Sequence, residues 1–324
     1  MEDEYELLRD TVKEFSEKNL DEKRIETGGI VENIIQNIAS QGFLGAKIPS
    51  KFGGSELDEK SYNIILREIS KYSPSVAMKI FILNSLYYPL VKNTEMESTL
   101  SDASSGKMNV SVDFLNKNKI EGEKFNGTLN DILNADSNNI IVFGKGPSLV
   151  NGGTVMEKDF MGFRGLKFGD IKIESELQHI NTKVTLNDIL EDSYNAISSI
   201  NLGLISGALD KAMEYSTIRK AFDSPLSSYE PVAFNLSRMV SQKNILETIL
   251  NNNIDSYYAL NFSMNILVET TRYALNVHGG YGYFGDFGVE KFYRDAMVMR
   301  SIFYGNSDLK KLSGHVYGNK VGFI

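Results

Sequence analysis

Cysteine and tryptophan are absent from this 324-residue chain, and histidine occurs three times. Without cysteine there are no disulfides, thiolate nucleophiles, zinc ribbons or CxxC redox pairs. His179, His278 and His315 do not form an HExxH pattern, so no histidine-based metal centre is expected. Basic side chains are outnumbered, 34 Lys+Arg against 42 Asp+Glu, a net charge of −8 that disfavours nucleic acid and anionic membrane surfaces as partners. No apolar run approaches the roughly 18 residues a membrane span needs. The first residues, Met1-Glu-Asp-Glu-Tyr5, have neither the basic nor the apolar region of a signal peptide, so the expected location is the cytoplasm. Neither GxSxG nor GxxxxGK[ST] occurs, and no carboxylate pair stands out as a glycosidase dyad. Proline is scarce and scattered, six residues in all, which leaves room for long helices.

What remains is an ordinary globular composition, long enough for about two domains and a real core. Residues 3–19 read as an amphipathic helix with Leu8, Val12 and Phe15 on one face. A second helix fits 30–41 through Ile30, Ile34, Ile35 and Ile38, with Gly42 to end it. Gly42 to Gly54 is punctuated by Gly and Pro and reads as a structured turn. A third helix carries Tyr62, Ile65, Leu66, Ile69 and Tyr72, and 75–92 reads as a buried helical stretch.

The texture changes near residue 105. Short apolar runs at Met108–Val112, Ile140–Phe143, Thr154–Met156 and Ile171–Ile173 alternate with Gly and Asn clusters, the pattern of a small antiparallel β domain. From about 187 the helical period returns. Ala196, Ile200, Leu204 and Ala208 mark one long helix, Val232 to Leu250 a second, Leu260 to Ala274 a third, as in an antiparallel bundle. A Gly-rich turn at Gly279–Gly288 leads to a helix near 289–300 and a short one near 307–316. The expected fold is multi-domain α+β: a helical N-terminal domain over 1–106, a reduced β domain over 107–186 and a C-terminal helical bundle over 187–324.

Two patterns bear on cofactor chemistry. Gly280-x-Gly282-x-x-Gly285 matches GxGxxG, but a helical segment precedes it and no βαβ pattern surrounds it, so it reads as a helix–helix turn rather than a dinucleotide fingerprint. Arg219-Lys-Ala-Phe222 follows a long helix. An arginine there either complements the helix dipole or clamps a diphosphate through its forked donors, and composition leaves both open.

Three separated stretches, in order, resemble the acyl-CoA dehydrogenase family. One is Gly42–Gly54, followed by Glu68 and Ser73 to Ala77. The next is Arg219-Lys-Ala-Phe222-Asp-Ser-Pro225-Leu226 with Leu236 to Met239. The most specific is Asn276-Val-His-Gly-Gly-Tyr-Gly-Tyr-Phe284 with Val289 to Ala296, and Met161-Gly-Phe-Arg-Gly165 adds a fainter echo. The resemblance spans nearly the whole chain. It implies a four-helix C-terminal bundle and FAD held between the β domain and that bundle. It implies an acyl-CoA or similar thioester as substrate, an electron-transfer flavoprotein as electron partner, and a homodimer or homotetramer. Carried over by position, Arg219 and Phe222 meet the FAD diphosphate of a neighbouring subunit, Asn276, Gly279 and Gly280 approach its ADP half, and Ser307 joins the cofactor set.

The sequence also departs from the family. Tyr304 stands where the catalytic glutamate belongs, and a phenol near pKa 10 costs roughly 4 kcal/mol to hold as phenolate at neutral pH. Glu191 and Asp192 lie close to the alternative base position on the first bundle helix, which falls at about Ser193. The β region is short, and Val112-Asp-Phe-Leu-Asn116 stands where the family has its flavin-contacting stretch. Asp223 replaces a family glycine and Glu230 a glutamine, both adding negative charge. Three readings follow: a dehydrogenase-type oxidoreductase acting on the CH–CH group with an unusual base, a catalytically silent structural or acyl-CoA-binding member, and a flavin-dependent oxygenase of the same fold.

Overall fold

The computed structural model describes residues 2–252, 254–303, 314 and 316. The N-terminal third is helical: α1 (Glu2–Asn19), α2 (Glu22–Gly28), α3 (Glu32–Ser40), α4 (Glu59–Tyr72), α5 (Pro74–Phe81), α6 (Tyr88–Val91) and α7 (Leu100–Ser104). Asp58 caps α4 by accepting from the Ser61 amide at 2.7 Å. Ser73 caps α5, and Pro74 opens it where no N–H is needed. Between α5 and α6, Ile82–Tyr87 widens into a buried π turn, which suits Pro89 because that residue has no amide to return to the preceding turn. Asn84 in this turn accepts from the Lys47 amide and donates to the Leu44 and Ile80 carbonyls, all at 2.8 Å, and so pins the Gly42–Gly54 turn. Gly54 is obligatory there, since a Cβ would stand 2.1 Å from the Ile48 carbonyl oxygen.

Seven strands follow: β1 (Val110–Val112), β2 (Lys124–Leu133), β3 (Asn139–Phe143), β4 (Pro147–Asn151), β5 (Thr154–Glu157), β6 (Phe168–Glu176) and β7 (Gln178–His179). They form two sheets, β1-β3-β4-β7 and β2-β6-β5. All pairings are antiparallel except β1 with β3, which run parallel with Val110 opposite Asn139. The two sheets share a small core of Leu129, Ile140, Val142, Val150, Ile171 and Ile173, separate from the main one. Periodicity finds β1, β3, β5 and β6 but passes over β2, β4 and the two-residue β7. The sequence of β2, Lys-Phe-Asn-Gly-Thr-Leu-Asn-Asp-Ile-Leu, is rich in residues with low strand preference and is bulged at Asp131, whose φ is 58°.

The C-terminal part holds α8 (Leu186–Glu191), α9 (Tyr194–Ile218), the hairpin strands β8 (Lys220–Ala221) and β9 (Ser224–Pro225), α10 (Glu230–Asn251), α11 (Ser256–Val277) and α12 (Glu290–Phe303). The expected helix over 307–316 lies almost wholly outside the described residues. A reciprocal Thr185–Asp188 capping box starts α8. α9 is the central helix, packed on α4, α10, α11 and α12, and it is apolar on most of its surface for that reason. Gly203 and Gly207 let it approach closely: a Cβ at Gly203 would meet the Arg67 carbonyl at 2.4 Å, and one at Gly207 the Phe292 ring at 2.5 Å. One hydrophobic core runs without interruption from Val12 through α4, α5 and α9 to Phe303.

Candidate active site and cofactor face

Arg219 ends α9 in an extended conformation, and its carbonyl accepts from Leu226 at 2.8 Å to close the β8–β9 hairpin. The two turn residues, Phe222 and Asp223, have φ of 47° and 66°. Such a two-residue turn needs positive φ at both positions, and aspartate tolerates it better than most residues, which explains how Asp223 replaces a glycine. The Tyr229 hydroxyl donates to the Ala221 carbonyl at 2.5 Å and braces the hairpin. The turn therefore presents Phe222 to solvent with 95% of its surface exposed.

The Arg219 guanidinium lies over the Tyr281 ring, 5.7 Å from its centroid. No carboxylate pairs with it among the described residues. It opens onto a cleft of about 770 Å³ whose lining mixes cations (Lys211, Lys220), acids (Glu214, Asp286) and the rings of Tyr215, His278, Tyr281 and Phe287. His278 is buried, stacked on Tyr215 at 4.3 Å, and its Nδ1–H donates to the Ala274 carbonyl at 2.8 Å. Burial holds this imidazole below its ordinary pKa, so it is neutral at neutral pH. Asn276 is exposed on the last turn of α11, and Gly279 and Gly280 open the 3-10 turn over Gly279–Tyr283 that comes after it. A Cβ at Gly279 or Gly280 would meet nothing within 4 Å, so this face is open. The GxGxxG string thus lies in a turn between helices, without the strand a dinucleotide fingerprint requires.

Of the residues singled out by sequence, Arg219 and the 276–281 turn flank one cleft. Phe222 stands on the hairpin beside it. Glu191 and Asp192 are exposed where α8 ends, and neither lines that cleft. Tyr304 and Ser307 lie outside the described residues.

The Val112–Asn116 stretch leaves β1 and is tied down by Asp113, which is buried and accepts from the Asn118 side chain at 2.8 Å and the Asn116 amide at 3.2 Å. Burial raises this carboxyl above its usual range. Phe114 then stacks on Phe303, the last residue of α12, and Phe81 meets Phe303 edge-on.

A further group is not foreseen from spacing. Glu22, Glu26, Lys291, Arg294 and Asp295 gather where α2 meets α12, beside a second cleft of about 610 Å³ lined by all but Asp295. Burial pushes Glu22 up to about 8 and Asp295 to about 6. Lys291, Arg294 and Asp295 fall in the Glu290 to Ala296 string, which carries the family resemblance without indicating what those charges face, and Glu22 and Glu26 lie in no motif.

Helical regions before and after two small sheets, with an aromatic cleft at the end of a central helix, define a helical-bundle protein with an inserted strand region. The profile described as "Acyl-CoA dehydrogenase, N-terminal domain" matches residues 2–98, and "Acyl-CoA dehydrogenase, C-terminal domain" matches residues 190–313. The chain belongs to the acyl-CoA dehydrogenase family. It is 26% identical to the 3-(aryl)acrylate reductase of Clostridium sporogenes, over 96% of this chain and 97% of that protein. It is 24% identical to the caffeyl-CoA reductase-Etf complex subunit CarC of Acetobacterium woodii, over 94% of this chain and 96% of the relative. The fold is similar to a glutaryl-CoA dehydrogenase of Mycobacterium smegmatis in complex with FADH2, with a TM-score of 0.86, 16% identity and coverage of 99% and 96%. The alignment with the acrylate reductase runs over 372 positions, more than the whole length of this chain, so many of the relative's positions have no residue opposite them. The strand region lies between the two profile matches.

Proposed function

We propose that the chain is an FAD-dependent oxidoreductase acting on the CH–CH group of an acyl-CoA thioester. One observation carries this reading beyond membership of the family. The Arg219 guanidinium has no carboxylate partner among the described residues and stands at the mouth of an aromatic cleft beside the open 276–281 turn. A diphosphate fits such a place, because a forked cation matches its oxygens and bare glycine backbone gives it room.

Bound FAD supplies hydride transfer at the acyl β-carbon. Arg219 neutralises the diphosphate, the Tyr281 face and the Asn276 amide meet the ADP half, and Gly279 and Gly280 leave space for it. Phe222, like Arg219, reaches the diphosphate held by a second copy of this chain, which makes the active form a homodimer or homotetramer. Proton transfer at the acyl α-carbon falls to Tyr304, with Glu191 and Asp192 as the alternative carboxylates. The Etf-complex relative supports an electron-transfer flavoprotein as electron partner. No helix among the described residues is long and apolar enough to cross a membrane, which accords with work in the cytoplasm. The same reading divides the chain into units at 1–106, 107–186 and 187–324.

A second reading, a silent member that binds acyl-CoA without oxidising it, is favoured by the phenol at position 304. The test is anaerobic mixing of the flavin-loaded protein with a panel of acyl-CoAs while the flavin band is followed. Wild type is expected to bleach slowly and Tyr304→Glu faster, because partial burial beside an acyl chain raises a carboxyl toward neutrality. Fast bleaching by wild type that Glu191→Gln or Asp192→Asn abolishes would move the base to α8. No bleaching by either protein, despite bound FAD, would favour the silent member or an oxygenase of this fold.

A further inference from the structure

The strand region holds α12 at both ends. At the C-terminal end Phe303 stacks on Phe114 beyond β1. Toward the N-terminal end, the loop 161–165 between β5 and β6 lies against Arg294 and Asp295. Asp295 is fully buried, and its Oδ1 accepts from the Phe163 amide at 2.6 Å. Phe163 is itself buried and holds a φ of 50°, which a phenylalanine rarely adopts unaided. Gly162 has no room to spare: a Cβ would stand 2.6 Å from Asp295 Oδ1 and 2.9 Å from the Arg294 carbonyl. Arg294 donates from Nη1 to the Met161 carbonyl at 3.0 Å, while its Nη2 reaches both Glu26 oxygens at 2.7 and 2.9 Å.

The other oxygen of Asp295, Oδ2, is buried and accepts no hydrogen bond among the described residues. A carboxylate kept half-satisfied in the interior is a poor way to stabilise a fold, since an apolar side chain of that volume avoids the desolvation cost. What it does accomplish is to hold one strained amide in one place. The loop it holds leads into β6, the middle strand of the β2-β6-β5 sheet.

We propose that Asp295 is a positioning residue: it locks the 161–165 loop, and through it the three-stranded sheet, onto α12, fixing the gap between strands and bundle. Lys291, Arg294, Glu26 and Glu22 surround the carboxyl, and Lys291 is anchored independently by donating to the Tyr72 carbonyl at 2.7 Å. The consequence for FAD rests on the functional reading above, whereas the lock itself does not.

Hydrogen–deuterium exchange on the full-length protein tests the lock. Asp295→Ala is expected to speed exchange of the 163–167 amides by roughly tenfold or more, the loss of one charge-assisted hydrogen bond, with α9 and α11 unchanged. Asp295→Asn keeps a carbonyl acceptor and is expected to stay near wild type. Should Asp295→Ala fail to fold, Gly162→Ala pushes the same loop off the same carboxylate and is expected to give the same local rise. Unchanged exchange in the loop, or equal loosening by the alanine and asparagine variants, overturns the proposal. FAD titration forms a separate arm, in which Asp295→Ala weakens binding about tenfold and Asp295→Asn does not. If wild type takes up no FAD yet the exchange pattern holds, the lock stands and the flavin reading fails.

Discussion

Phe303 lies stacked on Phe114, their ring centroids 5.9 Å apart and their planes within 10° of parallel, with Phe81 edge-on to Phe303 at 6.1 Å. These rings join the end of α12 to the stretch after β1, the two places to which the family resemblance assigns base and flavin. Phe114→Ala is expected to cost about 3–5 kcal/mol of stability through the cavity it leaves, measured by urea unfolding. A double-mutant cycle with Phe303→Ala is expected to show coupling of about 0.5–1.5 kcal/mol. Strict additivity would mean the rings share a core without interacting.

Arg219→Ala removes the cation over Tyr281 and is expected to weaken FAD binding by about 1.5–3 kcal/mol, roughly a ten- to hundredfold rise in Kd. Isothermal titration with FAD measures it. Equal affinity in both proteins would reduce Arg219 to a charge complementing the end of α9.

Phe222 contributes almost nothing to the fold of one chain, being 95% exposed. Phe222→Asp is expected to change unfolding stability by less than about 0.5 kcal/mol while shifting light scattering at micromolar concentration toward monomer. A wild type that is already monomeric would remove the neighbour-subunit role for the hairpin.

Glu22 and Asp295 give the stability a pH dependence of known sign. Burial raises both, Glu22 to about 8 and Asp295 to about 6, so the neutral acid is the form the fold favours. Their contribution is complete below the ordinary carboxyl range and is lost as pH rises, through about 6 for Asp295 and about 8 for Glu22. Tm of wild type is expected to fall between pH 6 and pH 9, and Glu22→Gln is expected to fall less across the same interval. Parallel curves would show that Lys291 and the Ser73 hydroxyl stabilise the Glu22 carboxylate more than burial disfavours it.

Helix positions were legible because α4 and α11 bury regular faces, and an apolar stripe of helical period survives in the order of residues. The Arg219 and Asn276–Gly280 strings were legible as motifs, and the structure brings them to one cleft although 57 positions separate Arg219 from Asn276. The strands were less so. The pairing of β2 with β6 joins Lys124 to Glu176 across half the β region, and no local pattern in β2 announces it.

By itself the sequence determined the order of helical, strand and helical regions, the absence of thiol and histidine-metal chemistry, and a tyrosine where the family keeps its glutamate, because each of these is a property of residue identity or short-range period. Only the tertiary structure decided that Asp295 faces the Phe163 amide, that Glu22 is half-buried against α12, and that Phe114 meets Phe303. Those facts depend on contacts between segments more than a hundred residues apart, where burial and desolvation, rather than residue type, set the charge and the position of each group.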